Sequence, residues 1–151
     1  MLTPDTRLVG IPSGGGWLAE RLQRDLGLPG AAGVLSSIMH RDDYGRRALV
    51  AGAATRLDFD VNGAHVIVVD DVLFTGRTTR AVINELFDFG RPASIRLVVL
   101  VDRGGRELPI QPDLACASVT LAPGEQLTLS RDASGRLALA LERPPAVASG
   151  T

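Results

Sequence analysis

The sequence predicts an α/β protein in which helices flank a parallel sheet. A short apolar run at residues 8–11 is followed by the glycine-rich turn 12–16 and then by a helical pattern. The β-branched run 65–69 is followed by a second helical pattern and by the apolar run 94–102. A strand–helix–strand order over about 30 residues makes a βαβ unit, whose strands are parallel and whose crossover is right-handed. The predicted sheet is therefore Rossmann-like.

The spacing of apolar residues predicts two helices. Apolar side chains recur at helical spacing over residues 17–26, and Gly27 and Pro29 are typical of a helix end. They recur again over residues 78–89, and Gly90 ends that pattern. Each helix follows a predicted strand, as the fold class requires.

The remaining segments predict shorter elements. Residues 33–40 predict a second strand, residues 41–56 lack periodicity and predict a mobile loop, and the alternation over residues 57–61 predicts a short strand. Residues 114–121 predict a further strand. Residues 125–142 predict a C-terminal hairpin, which would form a small β hood.

Length and composition indicate one soluble, cytoplasmic domain. The chain has 151 residues, of which 45% are hydrophobic and 22% charged. We expect a single domain at residues 1–143 and a disordered tail at residues 144–151. No apolar stretch reaches the roughly 20 residues of a membrane span, and the N-terminus lacks the pattern of a signal peptide. The lone Cys116 cannot form an internal disulfide, and we expect it to be buried.

Polar residues stand at the ends of three predicted strands. Asp70 and Asp71 end one strand, Asp102 and Arg103 end another, and Ser13 follows the first. Parallel sheets bind ligands beyond the carboxyl ends of their strands. The three clusters therefore predict one site at that edge.

The segment from Asp70 to Thr79 predicts a site for a ribose 5-phosphate. A helix that begins near Thr78 presents free N–H groups and the positive end of its dipole, Gly76 permits close approach, and Thr75 adds a hydroxyl. The two carboxylates would repel a phosphate, so we expect them to accept hydrogen bonds from a ribose diol or to bind Mg²⁺. An N-capping aspartate on an ordinary turn would explain only one of them.

These residues carry a resemblance to a known family. The stretch VIVVDDVLFTGRT, residues 66–78, resembles the phosphoribosyl pyrophosphate (PRPP) motif of the type I phosphoribosyltransferases. Residues 70–110 closely resemble the pyrimidine operon regulator/uracil phosphoribosyltransferase family (PyrR), and residues 8–22 and 40–47 are also similar to it. The resemblance covers most of the chain and implies the type I phosphoribosyltransferase fold.

The resemblance also implies a role for each site residue. Asp70 and Asp71 would hold the ribose 2- and 3-hydroxyls and position Mg²⁺, directly or through water. The 5-phosphate would be held by Thr75, Gly76, Arg77, Thr78 and Thr79. The pyrophosphate would lie on Ser13, Gly14 and Gly15, with Arg41 closing over it. The base would dock at Val101, Asp102 and Arg103.

The implied reaction joins uracil to PRPP and releases UMP and pyrophosphate, with Mg²⁺ and arginine stabilising the charge on the departing group. Phe74 stands where some purine-using relatives have an acidic general base, so we expect no protein base for the N1 proton of uracil. Hypoxanthine or xanthine stays open as an alternative base, because the motif recognises PRPP and not the base. The resemblance also implies a homo-oligomer, a dimer or larger.

Three departures from the family pattern bear on function. Only seven residues precede the first strand, so the N-terminal helix that is common in the family is missing or the start is assigned too late. The pyrophosphate loop is Ser-Gly-Gly where well-known relatives have Thr-Arg-Gly, which removes one cation. The mobile loop is also shortened between Arg46 and Arg56.

A second class of function follows from the same resemblance, namely a UMP-responsive regulator that binds pyrimidine-operon mRNA. RNA binding needs clustered cations. All sixteen basic residues are arginines, which codon bias in a GC-rich genome also explains, and the formal net charge is −1. The candidates for an RNA surface are Arg80, Arg91, Arg96, Arg103, Arg106 and Arg131. An RNA-binding regulator, or a UMP/PRPP sensor with little or no transferase activity, therefore stays open as the alternative.

Overall fold

The main sheet has five parallel strands. A computed structural model describes residues 2–36 and 55–145. In these residues the strands are β1 (Thr6–Gly10), β2 (Gly33–Val34), β3 (His65–Leu73), β4 (Ser94–Asp102) and β5 (Leu114–Ser118), and the helices are α1 (Gly14–Asp25) and α2 (Arg77–Phe89). The strand order is β2–β1–β3–β4–β5. A separate antiparallel hairpin follows, formed by β6 (Gln126–Arg131) and β7 (Leu137–Glu142). The predicted fold class and the C-terminal hairpin are confirmed.

The core has two layers, one on each face of the sheet. Val66 and Val68 pack in one cluster with Leu86 of α2, whereas Ile67 packs in the other with Ala19 of α1. Successive residues of a strand point to opposite faces, so a strand covered on both sides is apolar throughout. This explains the uninterrupted apolar run that identified β3.

The first helix begins earlier than the sequence predicts. Residues 12–16 are predicted as a turn, but α1 begins at Gly14, inside that segment. Glycine has a low helix propensity, and the pattern of side chains gives no sign of a helix there. Tertiary packing decides the start, because Gly14 and Gly15 of this first turn lie against β3. The end of α1 is as predicted, since Gly27 adopts a left-handed φ of +64° after the last turn.

Residues 57–61 do not form the predicted strand. Their alternation is present, because Leu57 and Phe59 are half-buried against the core while Asp58 and Asp60 are exposed. However, in the described part of the chain the only β-bridge near this segment joins Arg56 to Val34 of β2. An extended segment that lies across the edge of a core alternates buried and exposed side chains, as a strand does. It is not a strand, because no adjacent strand forms a ladder of backbone hydrogen bonds with it.

One further expectation is wrong, and several others reach beyond the described residues. Cys116 is exposed, because β5 is the edge strand of the sheet and most of its residues face solvent. The strand predicted at residues 33–40 is described only to residue 36, of which Gly33–Val34 are strand. The rest of that strand, most of the predicted loop 41–56 and the end of the predicted tail lie outside the described residues. Within those residues, neither helix has the length and apolar character to cross a membrane.

Candidate active site

The carboxyl ends of β1 and β3 lie side by side at the point where the strand order reverses. The chain passes from β1 to β2 on one side, while β3 pairs with β1 on the other, with Gly10 opposite Val69. A crevice opens at such a switch point, and it is where open parallel sheets bind ligands. The segment that contains Ser13 and the pair Asp70–Asp71 both meet this crevice, so two of the three predicted clusters are brought together.

The tightest packing in the crevice joins α1 to the end of β3. A Cβ atom added at Gly14 would collide with the carboxylate of Asp71, whose Cγ would lie only 2.9 Å away. A Cβ at Gly15 would collide with the carbonyl oxygen of Val69. Gly16, by contrast, has open space at that position. Glycine at positions 14 and 15 is therefore what allows the helix N-terminus to approach the carboxylate.

The two aspartates have different surroundings. Asp70 is 7% exposed, and its Oδ1 accepts the N–H of Asp71 at 2.8 Å. Asp71 is half-buried, and its Oδ1 accepts the N–H of Val72 at 2.8 Å. Because β3 continues to Leu73, both aspartates lie within the strand and their side chains leave it on opposite faces. Asp71 is the one that meets α1.

The turn that follows β3 leads directly into α2. Gly76 is the N-cap residue of this helix and has a φ of +90°, a conformation that favours glycine. The Oγ1 of Thr75 accepts the N–H of Arg77 at 3.2 Å. Thr78 is half-buried, whereas Thr79 is 2% exposed and its Oγ1 has no hydrogen-bond partner within the described part of the chain. The helix N-terminus provides the N–H groups and positive dipole end that suit an anion.

Arg106 holds the turn after β4 against the turn after β3. Its Nε donates to the carbonyl oxygen of Ile110 at 2.7 Å, and its two terminal nitrogens donate to the carbonyl of Phe74 at 2.8 Å and to Oδ2 of Asp102 at 2.7 Å. The Arg106 guanidinium holds the pKa of the Asp102 carboxyl below its usual range, and the N–H of Gly104 acts in the same direction, although burial opposes both. Asp102 is therefore a charged, fully engaged anchor of this turn.

Arg103 and Phe74 form an open surface beside this anchor. The guanidinium carbon of Arg103 lies 3.9 Å from the centre of the Phe74 ring, and that ring is 45% exposed. The Nε of Arg103 is buried, and nothing in residues 2–36 or 55–145 accepts its hydrogen. Leaving a buried donor unpaired costs about 1–3 kcal/mol. The side chain of Val101, at 4% exposure, belongs to the core of the sheet.

A second link joins the two turns. The Nε of Arg77 lies 2.6 Å from Oε2 of Glu107, and the N–H of Glu107 donates to the carbonyl oxygen of Thr75 at 2.9 Å. Both side chains of the ion pair are more than half exposed. Arg77, the cation of the turn after β3, is therefore paired with the Glu107 carboxylate, which a stronger anion could replace.

The structure brings most of the predicted site residues to one edge of the sheet, and it adds three that sequence reasoning missed in these roles. Arg41 lies outside the described residues. The additions are the ring of Phe74, the clamp Arg106 and the carboxylate of Glu107. Arg106 and Glu107 stand within the stretch that carries the family resemblance, but their contacts with a turn some 30 positions earlier are invisible in a linear sequence.

The carboxylate of Asp71 lies at the crevice and suits Mg²⁺ that is shared with a ligand, whereas the side chain of Asp70 leaves β3 on the opposite face. Across the described ranges, no three His, Cys, Asp or Glu side chains gather into a metal-binding group. Mg²⁺ is commonly held by one or two carboxylates and completes its shell with water and substrate phosphates. The donor set therefore fits a metal that arrives with a phosphorylated substrate, and it does not form an all-protein cage.

Comparisons with known proteins agree with this geometry. A family model described as the phosphoribosyl transferase domain matches residues 3–122. A protein of Ralstonia nicotianae named "Bifunctional protein PyrR" is 51% identical over 132 residues, which cover 87% of this chain and 75% of that protein. A protein of Pseudomonas aeruginosa with the same name is 46% identical over 138 residues, 91% of this chain and 79% of that protein.

Solved structures show the same fold. A hypoxanthine phosphoribosyltransferase of Trypanosoma cruzi has a TM-score of 0.57 and 26% identity, with 78% of this chain and 61% of that chain covered. A hypoxanthine-guanine phosphoribosyltransferase of Bacillus anthracis has a TM-score of 0.58 and 17% identity, with 76% and 65% covered, and shows the fold alone. This chain spans less than two thirds of the length of either solved chain. From its sequence relatives and its fold together, the chain belongs to the phosphoribosyltransferase family and, within that family, to the PyrR proteins.

Proposed function

We propose that this phosphoribosyltransferase transfers the 5-phosphoribosyl group of PRPP to uracil, and that it releases UMP and pyrophosphate. The contact between Gly14 and Asp71 carries the proposal. It joins a helix N-terminus, which suits a polyphosphate, to a carboxylate, which suits a ribose diol, at the switch point of the sheet. Few ligands besides a ribose with a phosphate at each end would need both groups so close together.

The 5-phosphate would lie on the N-terminus of α2. The turn Thr75–Gly76 and the first N–H groups of the helix would donate to its oxygens, and Arg77 would add a charge-assisted bond. The hydroxyl of Thr79 is too deeply buried to take part, so we assign the contribution of that residue to its backbone. The buried hydroxyl would then serve the packing of the helix.

The ribose and the pyrophosphate would lie between β3 and α1. Asp71 would accept hydrogen bonds from the ribose hydroxyls, and the glycine turn at residues 13–15 would receive the pyrophosphate. Asp71, which faces the crevice, would hold Mg²⁺ directly or through water, and the metal would supply positive charge to the departing pyrophosphate. On the family resemblance alone, Arg41 would close over that group.

The uracil would lie beside the exposed side chain of Phe74 and the guanidinium group of Arg103 that packs on its ring. Asp102 would keep this turn in place through its bonds with Arg106 and Gly104. Phe74 is apolar and cannot accept the N1 proton of the base, so that proton would pass to the departing pyrophosphate or to water. The oxocarbenium character of the transition state would be stabilised by the carboxylates and the separated phosphates.

The deciding experiment is pyrophosphate release from PRPP and Mg²⁺, measured with each nucleobase in parallel. We expect turnover with uracil and none with hypoxanthine, guanine or adenine. Turnover with a purine instead of uracil would contradict the base assignment and leave the PRPP site intact. No turnover with any base, together with PRPP or UMP binding by calorimetry, would favour a nucleotide sensor.

A second candidate function is RNA binding, which the name "Bifunctional protein PyrR" of the relatives favours. The structure distributes the candidate arginines over several places. Arg103 and Arg106 lie at the turn after β4, Arg96 borders a small cavity with His65 at the opposite end of the sheet, and Arg131 faces α1. Binding of pyrimidine-operon leader RNA that strengthens with UMP and weakens steeply with salt would support this function.

We also propose that the chain forms a homo-oligomer. The edge strand β5 leaves Leu114 about half exposed, and α2 leaves Phe87 and Phe89 about half exposed. Burial of such side chains against a second copy would remove apolar surface from water. Sedimentation equilibrium over a wide concentration range tests this proposal, and a monomer at every concentration would contradict it.

A further inference from the structure

A further cavity lies between α1 and the C-terminal hairpin. Its volume is about 450 Å³, within the range of roughly 300–1,000 Å³ that is typical of small-molecule sites. It is lined by residues of two consecutive turns of α1 and by the turn that joins β6 to β7. The lining residues are Trp17, Glu20, Arg21, Arg24, Arg131, Ser134, Gly135, Arg136 and Leu137. We call this cavity the hairpin groove.

The hairpin groove is rich in positive charge. Its lining contains four arginines and one carboxylate, that of Glu20. Arg131 lies 3.3 Å from Glu20 and 5.0 Å from the centre of the Trp17 ring, so it is held by both walls of the groove. Arg21 is paired with Asp25 at 2.9 Å. Two of the four arginines are thus engaged within the protein.

The other two arginines are open to a ligand. Arg24 is 74% exposed, and its Nε is 4.0 Å from the nearest carboxylate oxygen, on Asp25. Arg136 makes no ion pair with any residue that the structure describes. Asp132, the remaining acid near Arg136, is occupied within the hairpin turn, where its Oδ1 accepts from the hydroxyl and N–H of Ser134 and from the N–H of Arg136. The groove therefore holds two guanidinium groups without a close carboxylate partner.

The walls of the groove also offer apolar surface. Trp17 and Leu137 are both half-buried and lie on opposite walls. Guanidinium groups bind phosphates in a bidentate manner, and an aromatic or aliphatic wall suits the flat ring of a base. The groove is confined to two helical turns and one hairpin turn, a length that suits one nucleotide better than a strand of several.

We propose that the hairpin groove binds a free nucleoside di- or triphosphate, with its phosphates on Arg24 and Arg136 and its base against Trp17 and Leu137. None of the residues that line the groove is assigned to the PRPP site, although both sites use α1. Trp17 follows Gly14 by three residues, a rise of about 4.5 Å along α1. The proposal does not depend on the identity of the base that the carboxyl-edge site accepts.

The single tryptophan of the chain provides the measurement. Fluorescence of Trp17 would be followed during titration with ATP·Mg²⁺, in the presence of saturating UMP to fill the carboxyl-edge site. We expect a saturable change for the wild type. The variant Arg24→Ala/Arg136→Ala should bind ATP at least about tenfold more weakly. Inorganic tripolyphosphate would be titrated in the same way. If the double variant also binds it more weakly, the phosphates are the contacted groups, and this result would also support the proposal.

Arg143→Ala is the control, because Arg143 is exposed, carries the same charge and does not line the groove. We expect ATP binding by this variant to stay within about twofold of the wild type. The arginines in the double variant point to solvent or to the groove, so circular dichroism should show an unchanged fold.

Three results would overturn the proposal. One is an unchanged dissociation constant in the double variant, which would place the ATP elsewhere. Another is the absence of saturable ATP binding by both fluorescence and calorimetry. The third is a saturable, arginine-dependent response to a short single-stranded RNA but not to ATP, which would make the groove part of a nucleic-acid surface. If UMP does not bind at all, the proposed function is contradicted, but the effect of the arginine substitutions on ATP binding still tests the hairpin groove. Failure of the proposed function is therefore distinguishable from failure of this proposal.

Discussion

Arg77 and Glu107 are joined by an ion pair of 2.6 Å that links the turn after β3 to the turn after β4. Both side chains are more than half exposed, and exposed pairs of this kind contribute about 0–1 kcal/mol. A phosphate dianion offers Arg77 a stronger partner than a single carboxylate does. The pair is therefore weak enough to be replaced when a substrate phosphate binds, and Glu107 competes with that phosphate.

The first prediction concerns this competition. Arg77→Ala should raise the KM for PRPP by about tenfold or more and leave the KM for uracil within about twofold, because only PRPP carries the phosphate. Glu107→Gln should leave the KM for PRPP unchanged or lower it, since it frees Arg77. Steady-state kinetics with each substrate varied in turn provides the measurement.

The double variant is the control for this prediction. If Glu107 acts through Arg77, the effect of Glu107→Gln should disappear in the Arg77→Ala background. An equal rise in both KM values for Arg77→Ala would argue against the phosphate assignment.

The second prediction uses two neighbouring glycines. Gly14→Ala should lower kcat/KM by about 100-fold, because the new methyl group displaces the carboxylate of Asp71 and small misplacements of reacting groups have effects of this size. Gly16→Ala is the matched control in the same helical turn, and its Cβ meets open space. It should keep wild-type kinetics and a melting temperature that is equal or higher. Equal loss of activity in both variants would show that the contact with Asp71 is not the cause.

The third prediction concerns the charge of Asp71. Asp71→Asn keeps the shape of the side chain and an oxygen that can accept the N–H of Val72, so the fold should persist. The loss of the negative charge should lower kcat by about 100-fold or more. Asp88→Asn, an exposed change at the end of α2, is the charge-matched control and should be active. Wild-type turnover by Asp71→Asn would exclude the proposed role of this carboxylate.

The fourth prediction concerns the pKa of Asp102. Arg106→Gln removes the guanidinium that lowers this pKa, so the pKa should rise toward its ordinary value of about 3.9. Carbon-13 NMR of the carboxyl group during acid titration measures it. Asp132 is an internal control, because its pKa is lowered mainly by the hydroxyl of Ser134 and should not change.

The same pair predicts a dependence of stability on pH. The folded-state pKa of Asp102 lies below the unfolded value, so this group contributes stability above about pH 3.9 and loses that contribution as the pH falls through the folded pKa. The difference in unfolding free energy between wild type and Arg106→Gln should therefore be largest near neutral pH and shrink in acid. A difference that grows in acid would contradict the assigned sign.

Local sequence patterns predicted the elements whose structure depends mainly on residues that are close together in the sequence. β4 is predicted at residues 94–102 and found there, and α2 begins one residue before the predicted Thr78. The prediction for residues 57–61 is wrong because alternation reports burial and not strand pairing. The prediction for Cys116 is wrong because an apolar segment does not show that its strand lies at the edge of the sheet.

By itself, the sequence determined the βαβ order, the PRPP motif and the edge of the sheet where ligands bind, because each depends on residues close together in the chain. Only the tertiary structure decided which groups meet at that edge. Gly14 and Asp71 come together because the strand order reverses between β1 and β3. Arg77 meets Glu107, and Arg106 reaches Phe74, because β3 and β4 end side by side in parallel register. Contacts of this kind follow from the packing of distant segments, which no local period records.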